Sequence, residues 1–292
     1  MSVARLQEKI RKLKNPSVIN FSISKEQIPQ HILEQEGNVL AAFGCVSRQL
    51  LLALKDVVPA VRFSFGDFAL FGQEGLELLK ETLAYANAQG YYVFLDAPEA
   101  LFRQAAQMRA DVFFAEDCPW TFDALVVCSY IGSDGLLPYA EKLKNTNKAL
   151  FPVVRTANRT APELQDLLSG SRLVHVAATD VVNRLAEKYA ATGRYSAIGI
   201  MAAASSAHSL RTLRQKYKNL FLLLDGFDYA NSNAKNCSEA FDELGHGAVA
   251  CAGTSVTAAF LAEGENGEEY VSAAVLAAER MKKNLSRYIK VL

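Results

Sequence analysis

Short runs of apolar, β-branched and aromatic residues recur along the chain. They are SVINF (17–21), AVRFSF (60–65), YYVFLD (91–96), DALVVCS (123–129), ALFPVV (149–154), SAIGIM (196–201), LFLLLD (220–225) and GAVAC (247–251). Most are bounded by Gly, Asn, Asp or Pro, and none alternates cleanly between apolar and polar residues. Continuous apolar strands belong in a sheet covered on both faces. Between them the apolar period lengthens to that of a helix. Val3, Leu6, Ile10 and Leu13 share one helical face, and the basic run KIRKLK (9–14) reads as its solvated side. LLLALKDVV (50–58) ends a second helix, and EGLELLKETLAYANAQG (74–90) forms a third with Gly90 as its C-cap glycine. SAHSLRTLRQKYKN (206–219), NAKNCSEAFDELGHG (233–247) and EEYVSAAVLAAERMKKNLSRYI (268–289) continue the series.

Eight strands alternating with helices over about 250 residues is the count of a (β/α)8 TIM barrel. A doubly wound open sheet is the alternative. No linker, repeat or low-complexity stretch divides the chain, so residues 1–292 are expected to form one domain. The long segment 156–196 between the fifth and sixth strands is expected to lie over the mouth as a helical, lid-like excursion.

In a barrel, chemistry sits just past the carboxyl ends of the strands. Those positions are Ser22, Ser64 to Asp67, Asp96, Ser129 to Tyr130, Arg155, Met201 to Ala202, Asp225 to Asp228 and Gly253 to Ser255. None is His or Lys, and the chain has no GxSxG and no glycine-rich phosphate loop. Asp96 also opens Asp-Ala-Pro-Glu, the pattern of a helix N-cap with Pro98 in the first turn and Glu99 as capping-box partner. The cap reading outweighs the catalytic one.

Charge narrows the classes further. Thirty-one basic residues balance 31 acidic ones, so no global field recruits nucleic acid or an anionic membrane. Five cysteines, Cys45, Cys118, Cys128, Cys237 and Cys251, are widely spaced with no CxxC; Cys128 and Cys251 lie in apolar runs and read as small core residues. With no signal peptide and no apolar span of membrane length, a reducing, cytoplasmic setting is expected. The histidines, His31, His175, His208 and His246, lack metal-ligand spacing. Asp96, Asp225 and Asp228 could gather as carboxylates for a divalent ion, but without fixed spacing or histidine support they are assigned no metal.

Three segments carry a resemblance. VRTANRTAPELQDLL (154–168) is similar to the Arg-Thr-x-Asn…Glu-Leu-Gln segment of bacterial orotidine 5′-phosphate decarboxylases, in the longer-chain branch of that family. FGQEGLELLKETLAYANAQGYYVFLDA (71–97) resembles the helix leading into the family's catalytic strand. DALVVCSYIGSDGLLPYAEK (123–142) resembles its Val-x-Pro-Tyr-Leu-Gly stretch, with Ser129 where proline is usual. NPSVINFSI and AVRFSFGDFALFG fit the family's opening. The resemblance implies a (β/α)8 barrel working as a dimer, without cofactor, on a pyrimidine nucleotide.

The departures matter more than the matches. The family's Asp-x-Lys-x-x-Asp motif falls on Asp96, Pro98 and Leu101, so only the first aspartate remains. The family lysine stabilises the developing carbanion and supplies its proton, and proline can do neither. Ser22 stands for an aspartate, and Arg62 for a lysine whose charge it keeps. The phosphate grip reads GFDYAN (226–231) and AGTSVT (252–257), and residues 226–268 contain no arginine. The expectation is therefore a family barrel lacking decarboxylase activity, with a binding, regulatory or structural role. The alternatives are a working decarboxylase or a barrel enzyme of different specificity. Asp96 and Arg62 are the candidates for residual chemistry. Arg155, Thr156, Asn158, Asp225 and Ser255 are the candidates for binding a nucleotide-like small molecule. A homodimer, or a mixed dimer with a family member, is the expected assembly.

Overall fold

The computed structural model describes residues 2–190, 193–229, 231–263 and 267–292. Eight parallel strands close in chain order: β1 (Ser17–Phe21), β2 (Ala60–Ser64), β3 (Tyr92–Asp96), β4 (Ala124–Cys128), β5 (Ala149–Val153), β6 (Ile200–Ala203), β7 (Leu222–Asp225) and β8 (Ala248–Ala252). β8 returns to β1 through Ser17↔Ala250, Val18↔Cys251 and Ile19↔Ala252, which excludes the open sheet. Helices Val39–Leu54, Gly72–Ala88, Arg103–Phe113, Ser133–Leu143, Val174–Tyr189, Ala207–Lys216 and Tyr270–Ser286 are the longer ones of the outer layer.

Every other strand residue faces inward. Ala60, Tyr92, Phe94, Ala124, Val126, Phe151, Met201, Leu223 and Val249 fill the barrel as a packed interior. The amino-terminal helix Ser2–Leu13 joins that interior through Val3, Leu6 and Ile10. Its polar side latches to the amino ends of the strands, with Arg5 on Asp123 and Lys9 on the Gly90 carbonyl. Gly90 ends Gly72–Ala88 as expected: its φ is +90°, its own N–H bonds to Asn87 O, and Tyr91 N–H bonds to Ala86 O.

Three expectations need correction. β6 begins at Ile200, not 196, because residues 196–199 make only the bridge Leu150↔Ile198 to β5. A Cβ on Gly199 would lie 2.5 Å from both the Phe151 ring and the Phe221 carbonyl, so a close approach replaces regular pairing there. The segment 233–247 forms only the short helix Ala234–Ser238, because Asp242 then accepts the N–H groups of Leu244 and His246 and turns the chain. The long excursion divides in two. Residues 156–173 carry a short helix (Pro162–Gln165) and a two-residue hairpin, whereas Val174–Tyr189 packs beside Ser133–Leu143 as an ordinary outer helix of the barrel. Residues 191–192 of the expected lid lie outside the described residues. Among the described residues no helix is long and apolar enough to cross a membrane.

Candidate functional site at the barrel mouth

Alternation carries Arg62 inward after Ala60, Asp96 after Phe94 and Asp225 after Leu223, just above the apolar layers. The three meet. Arg62 Nε lies 2.8 and 3.0 Å from the two Asp96 oxygens, and Nη2 lies 2.7 Å from Oδ2. Nη1 donates to Asp225 Oδ1 at 2.7 Å and approaches Cys251 Sγ at 4.0 Å. The Arg62 side chain is 12 % exposed. Burial works against its charge, but Asp96 and Asp225 outweigh that and hold the guanidinium more firmly protonated than usual. Burial pushes the neighbouring Cys251 thiol up to about 12, so it stays neutral.

More carboxylates surround this cluster. Burial raises the Asp67 carboxyl above its ordinary range and the Asp96 charge adds to that, partly offset by Ser64 and Arg62. Asp228 Oδ2 accepts N–H bonds from Gly253 at 2.9 Å and Ser255 at 3.3 Å. It thereby ties the loop after β7 to the short helix Thr254–Thr257 after β8. Those two loops are where many barrels cradle a phosphate, and here the protein's own carboxylate takes the N–H groups. The Tyr229 hydroxyl is raised by burial and by Asp225 and Asp228. Gly226 has φ +73°, and a Cβ there would sit 2.6 Å from the Ala157 Cβ, so excursion and loop touch through a glycine.

Arg155, Thr156 and Asn158 form a separate network. Arg155 is 7 % exposed, and its Nε and Nη2 lie 2.9 and 2.8 Å from the two oxygens of Asp166. Arg155 holds Asp166 below the usual carboxylate range. His175 Nδ1 lies 3.0 Å from Gln165 O and 3.1 Å from Asp166 Oδ1, and burial lowers its pKa. Gln165 and Thr156 exchange bonds of 2.8 Å, and Asn158 Nδ2 donates to Thr160 Oγ1 at 2.9 Å. Past β4, Ser129 Oγ and the Tyr130 hydroxyl donate to Val153 O and Val154 O, at 2.6 and 2.5 Å, and pin β4 to β5.

Two site-level expectations are corrected. Asp96 caps no helix: residues 97–102 are irregular and the helix starts at Arg103 after Phe102, so Pro98 and Glu99 lie in a loop. Ala97 N–H instead bonds to Val126 O at 2.9 Å and extends the strand ladder, while Arg62 takes the carboxylate. Cys128 is exposed rather than core, because it continues the inward face of Ala124 and Val126 beyond the filled layers. Asp166 and Cys251 are members that sequence reasoning does not place at the site, and Asp67, one of the strand-end positions, joins them there. Asp67 and Cys251 at least carry a sequence signal, an acid and a thiol at strand ends. Among the described residues no group of three or more His, Cys, Asp or Glu side chains is placed to hold a metal ion.

No family model matches the chain. Orotidine 5′-phosphate decarboxylase of Clostridium novyi is 28 % identical over 268 residues, 91 % of this chain and 92 % of that protein. The Clostridium acetobutylicum enzyme is 25 % identical over 289 residues, 98 % and 99 % of the two chains. The chain is a relative of the orotidine 5′-phosphate decarboxylases. The fold agrees: Leishmania donovani OMP decarboxylase, 20 % identical, superposes with a TM-score of 0.72 over 97 % of this chain and 98 % of that one. On this decarboxylase relative, the segment that resembles the Asp-x-Lys-x-x-Asp motif is the irregular loop after β3. Leu101 and Phe102 in it are 70 % and 72 % exposed.

Proposed function

We propose that this decarboxylase relative does not decarboxylate orotidine 5′-monophosphate and serves instead as a binding, regulatory or structural barrel. The observation that carries this reading is the state of Arg62. The cation at the mouth is a guanidinium clamped by two carboxylates, so it is neither a proton donor nor free to meet a leaving carboxylate. Pro98 stands where the resemblance puts the lysine. Losing one such electrostatic group commonly lowers a rate by ~10²–10³. Asp228 supports the same reading, because an incoming phosphate dianion would meet a carboxylate already seated on the Gly253 and Ser255 N–H groups.

The test is a spectrophotometric assay of orotidine monophosphate with purified protein, beside an active relative at saturating substrate. No turnover is expected, and calorimetry with uridine monophosphate should give no saturable heat. Turnover that disappears in Asp96→Asn would overturn the reading, because it would place Asp96 in working chemistry. The assembly proposed with it is a dimer across the mouth. Leu70, Leu101 and Phe102, at 87 %, 70 % and 72 % exposure, are the apolar side chains a second copy or a family member would cover. A monomer by light scattering at micromolar concentration, alone and mixed with an active relative, would exclude it.

A further inference from the structure

The excursion 156–173 after β5 is tied down at both ends. At its base Arg155 grips Asp166 through Nε and Nη2, and Gln165 exchanges bonds of 2.8 Å with Thr156, so residues 156–165 form a closed loop. At the far end the hairpin of Leu168–Ser169 with Arg172–Leu173 runs directly into helix Val174–Tyr189, and Val174 N–H returns to Leu167 O at 2.9 Å. His175 joins the two ties. Its Nδ1 faces Gln165 O at 3.0 Å and Asp166 Oδ1 at 3.1 Å.

That geometry sets the state of the ring. Two acceptors in front of Nδ1 require a proton there, so the neutral ring is the Nδ1–H tautomer and a second proton has to enter at Nε2. Nε2 is buried and has no partner among the described residues, and His175 is 0 % exposed. The ring also stands in the first turn of Val174–Tyr189, where the helix dipole opposes a cation. The charged groups that face it are Asp166, which favours the cation, and Arg155, which opposes it. Burial decides the balance and lowers the His175 pKa. A second proton therefore enters far more readily once the excursion has lifted off the ring.

The other side of the excursion rests on the loop after β7. Gly226 lies between the Ala157 methyl and the Tyr229 ring, and a Cβ added to it would be 2.6 Å from the first and 3.0 Å from the second. Two residues on, Asp228 holds the β8 loop through the Gly253 and Ser255 N–H groups. The strap thus supports one wall of the barrel mouth.

We propose that residues 156–173 are an acid-released strap: protonation of His175 frees them from their latch, the loop 226–229 loosens with them, and that side of the mouth opens. The inference concerns access to the mouth and does not rest on the function proposed above.

Hydrogen exchange of the full chain at pH 7 and pH 5, read by mass spectrometry and corrected for the intrinsic pH dependence, tests it. A solvated imidazole with the ordinary pKa of about 6.5 is protonated about 30:1 at pH 5, which sets the ceiling on the gain in opening. Peptides covering 156–173 and 226–229 are expected to gain at least about fivefold together, with helix Tyr270–Ser286 unchanged. Phe227 N–H, bonded to Cys251 O, is one reporter in the second segment. His175→Gln keeps a donor for Gln165 O, and His175→Phe keeps a ring in the buried space; neither titrates, and in whichever of them folds both gains should vanish. Asp67, whose carboxyl is also raised, is untouched in both variants and so does not account for a gain that they lose. No gain in 156–173, a gain there without one in 226–229, an equal gain in Tyr270–Ser286, or a gain that survives in either variant overturns the proposal.

Discussion

Arg62→Met takes the cation from between Asp96 and Asp225 and keeps an unbranched apolar stem in the barrel. The charge of the three-residue cluster goes from one negative to two, with the carboxylates left facing each other. Removing one partner of a buried pair costs about 3–5 kcal/mol. The lower end applies here, because the Asp96 and Asp225 side chains are 21 % and 26 % exposed and retain some water. Unfolding entropy of about 2.1 cal/mol/K per residue gives about 0.6 kcal/mol/K for this chain, so about 3 kcal/mol lowers Tm by about 5 °C. Urea and thermal unfolding at neutral pH read the loss. A second substitution identifies its cause. Adding Asp96→Asn to Arg62→Met should recover at least about 1 kcal/mol. A loss under about 1 kcal/mol at neutral pH, or no recovery in the double variant, would refute the argument that Arg62 is a structural counter-ion.

Arg214→Met should be at least as damaging, about 3–5 kcal/mol by urea unfolding, because the buried guanidinium donates to the carbonyls of Ala240, Tyr217, Lys218, Leu220 and Gly247. Arg214→Lys should recover less than half, since an ammonium brings three donors and no fork. The excursion 156–173 should open in acid. His175 has a lowered folded pKa, so the unfolded segment protonates first as pH falls below the ordinary 6.5, and a second loss follows below 3.8 as Asp166, held low by Arg155, titrates. Limited proteolysis should show both steps, and His175→Gln should remove the first. Pro98→Lys alone should not create orotidine monophosphate turnover, because Arg62 already occupies Asp96; turnover in that single variant would show that the loop can rearrange around a lysine.

The barrel was readable because its determinants are local. A strand covered on both faces is a continuous apolar run whatever its neighbours are, so β1 to β5, β7 and β8 stand close to where the runs fall. The misplaced stretches are those decided at a distance. SAIGIM has the composition of a strand along its whole length, yet Gly199 is pressed between Phe151 and Phe221, and ladder pairing starts after it. NAKNCSEAFDELGHG has helical composition, yet Gly245 and Gly247 take φ of +70° and +85°, and a Cβ on Gly247 would meet the Tyr195 hydroxyl at 2.4 Å. A contact across 52 positions fixes that turn, and no local period encodes it.

The same distinction governs the site. The positions of Arg62, Asp96, Asp225 and Asp228 followed from strand ends, but their partners did not. Asp-Ala-Pro-Glu is a sound cap in isolation, and a cap is worth about 1 kcal/mol. Withholding Asp96 from Arg62, 34 positions away, would strand a buried charge at about 3–5 kcal/mol, so the long-range pair wins and the helix starts late. Asp228 bonds to backbone N–H groups 25 and 27 positions on, a contact in which the identity of the distant residue plays little part. These pairings bear on function. A catalytic site holds charge and N–H groups toward the place where substrate charge will develop. Here Arg62 faces Asp96 and Asp225, Arg155 faces Asp166, and Asp228 faces the β8 loop. On the function proposed above, a nucleotide reaching this mouth would have to break those internal pairs before forming its own, and the pairs that stabilise the barrel mouth would be the ones opposing it.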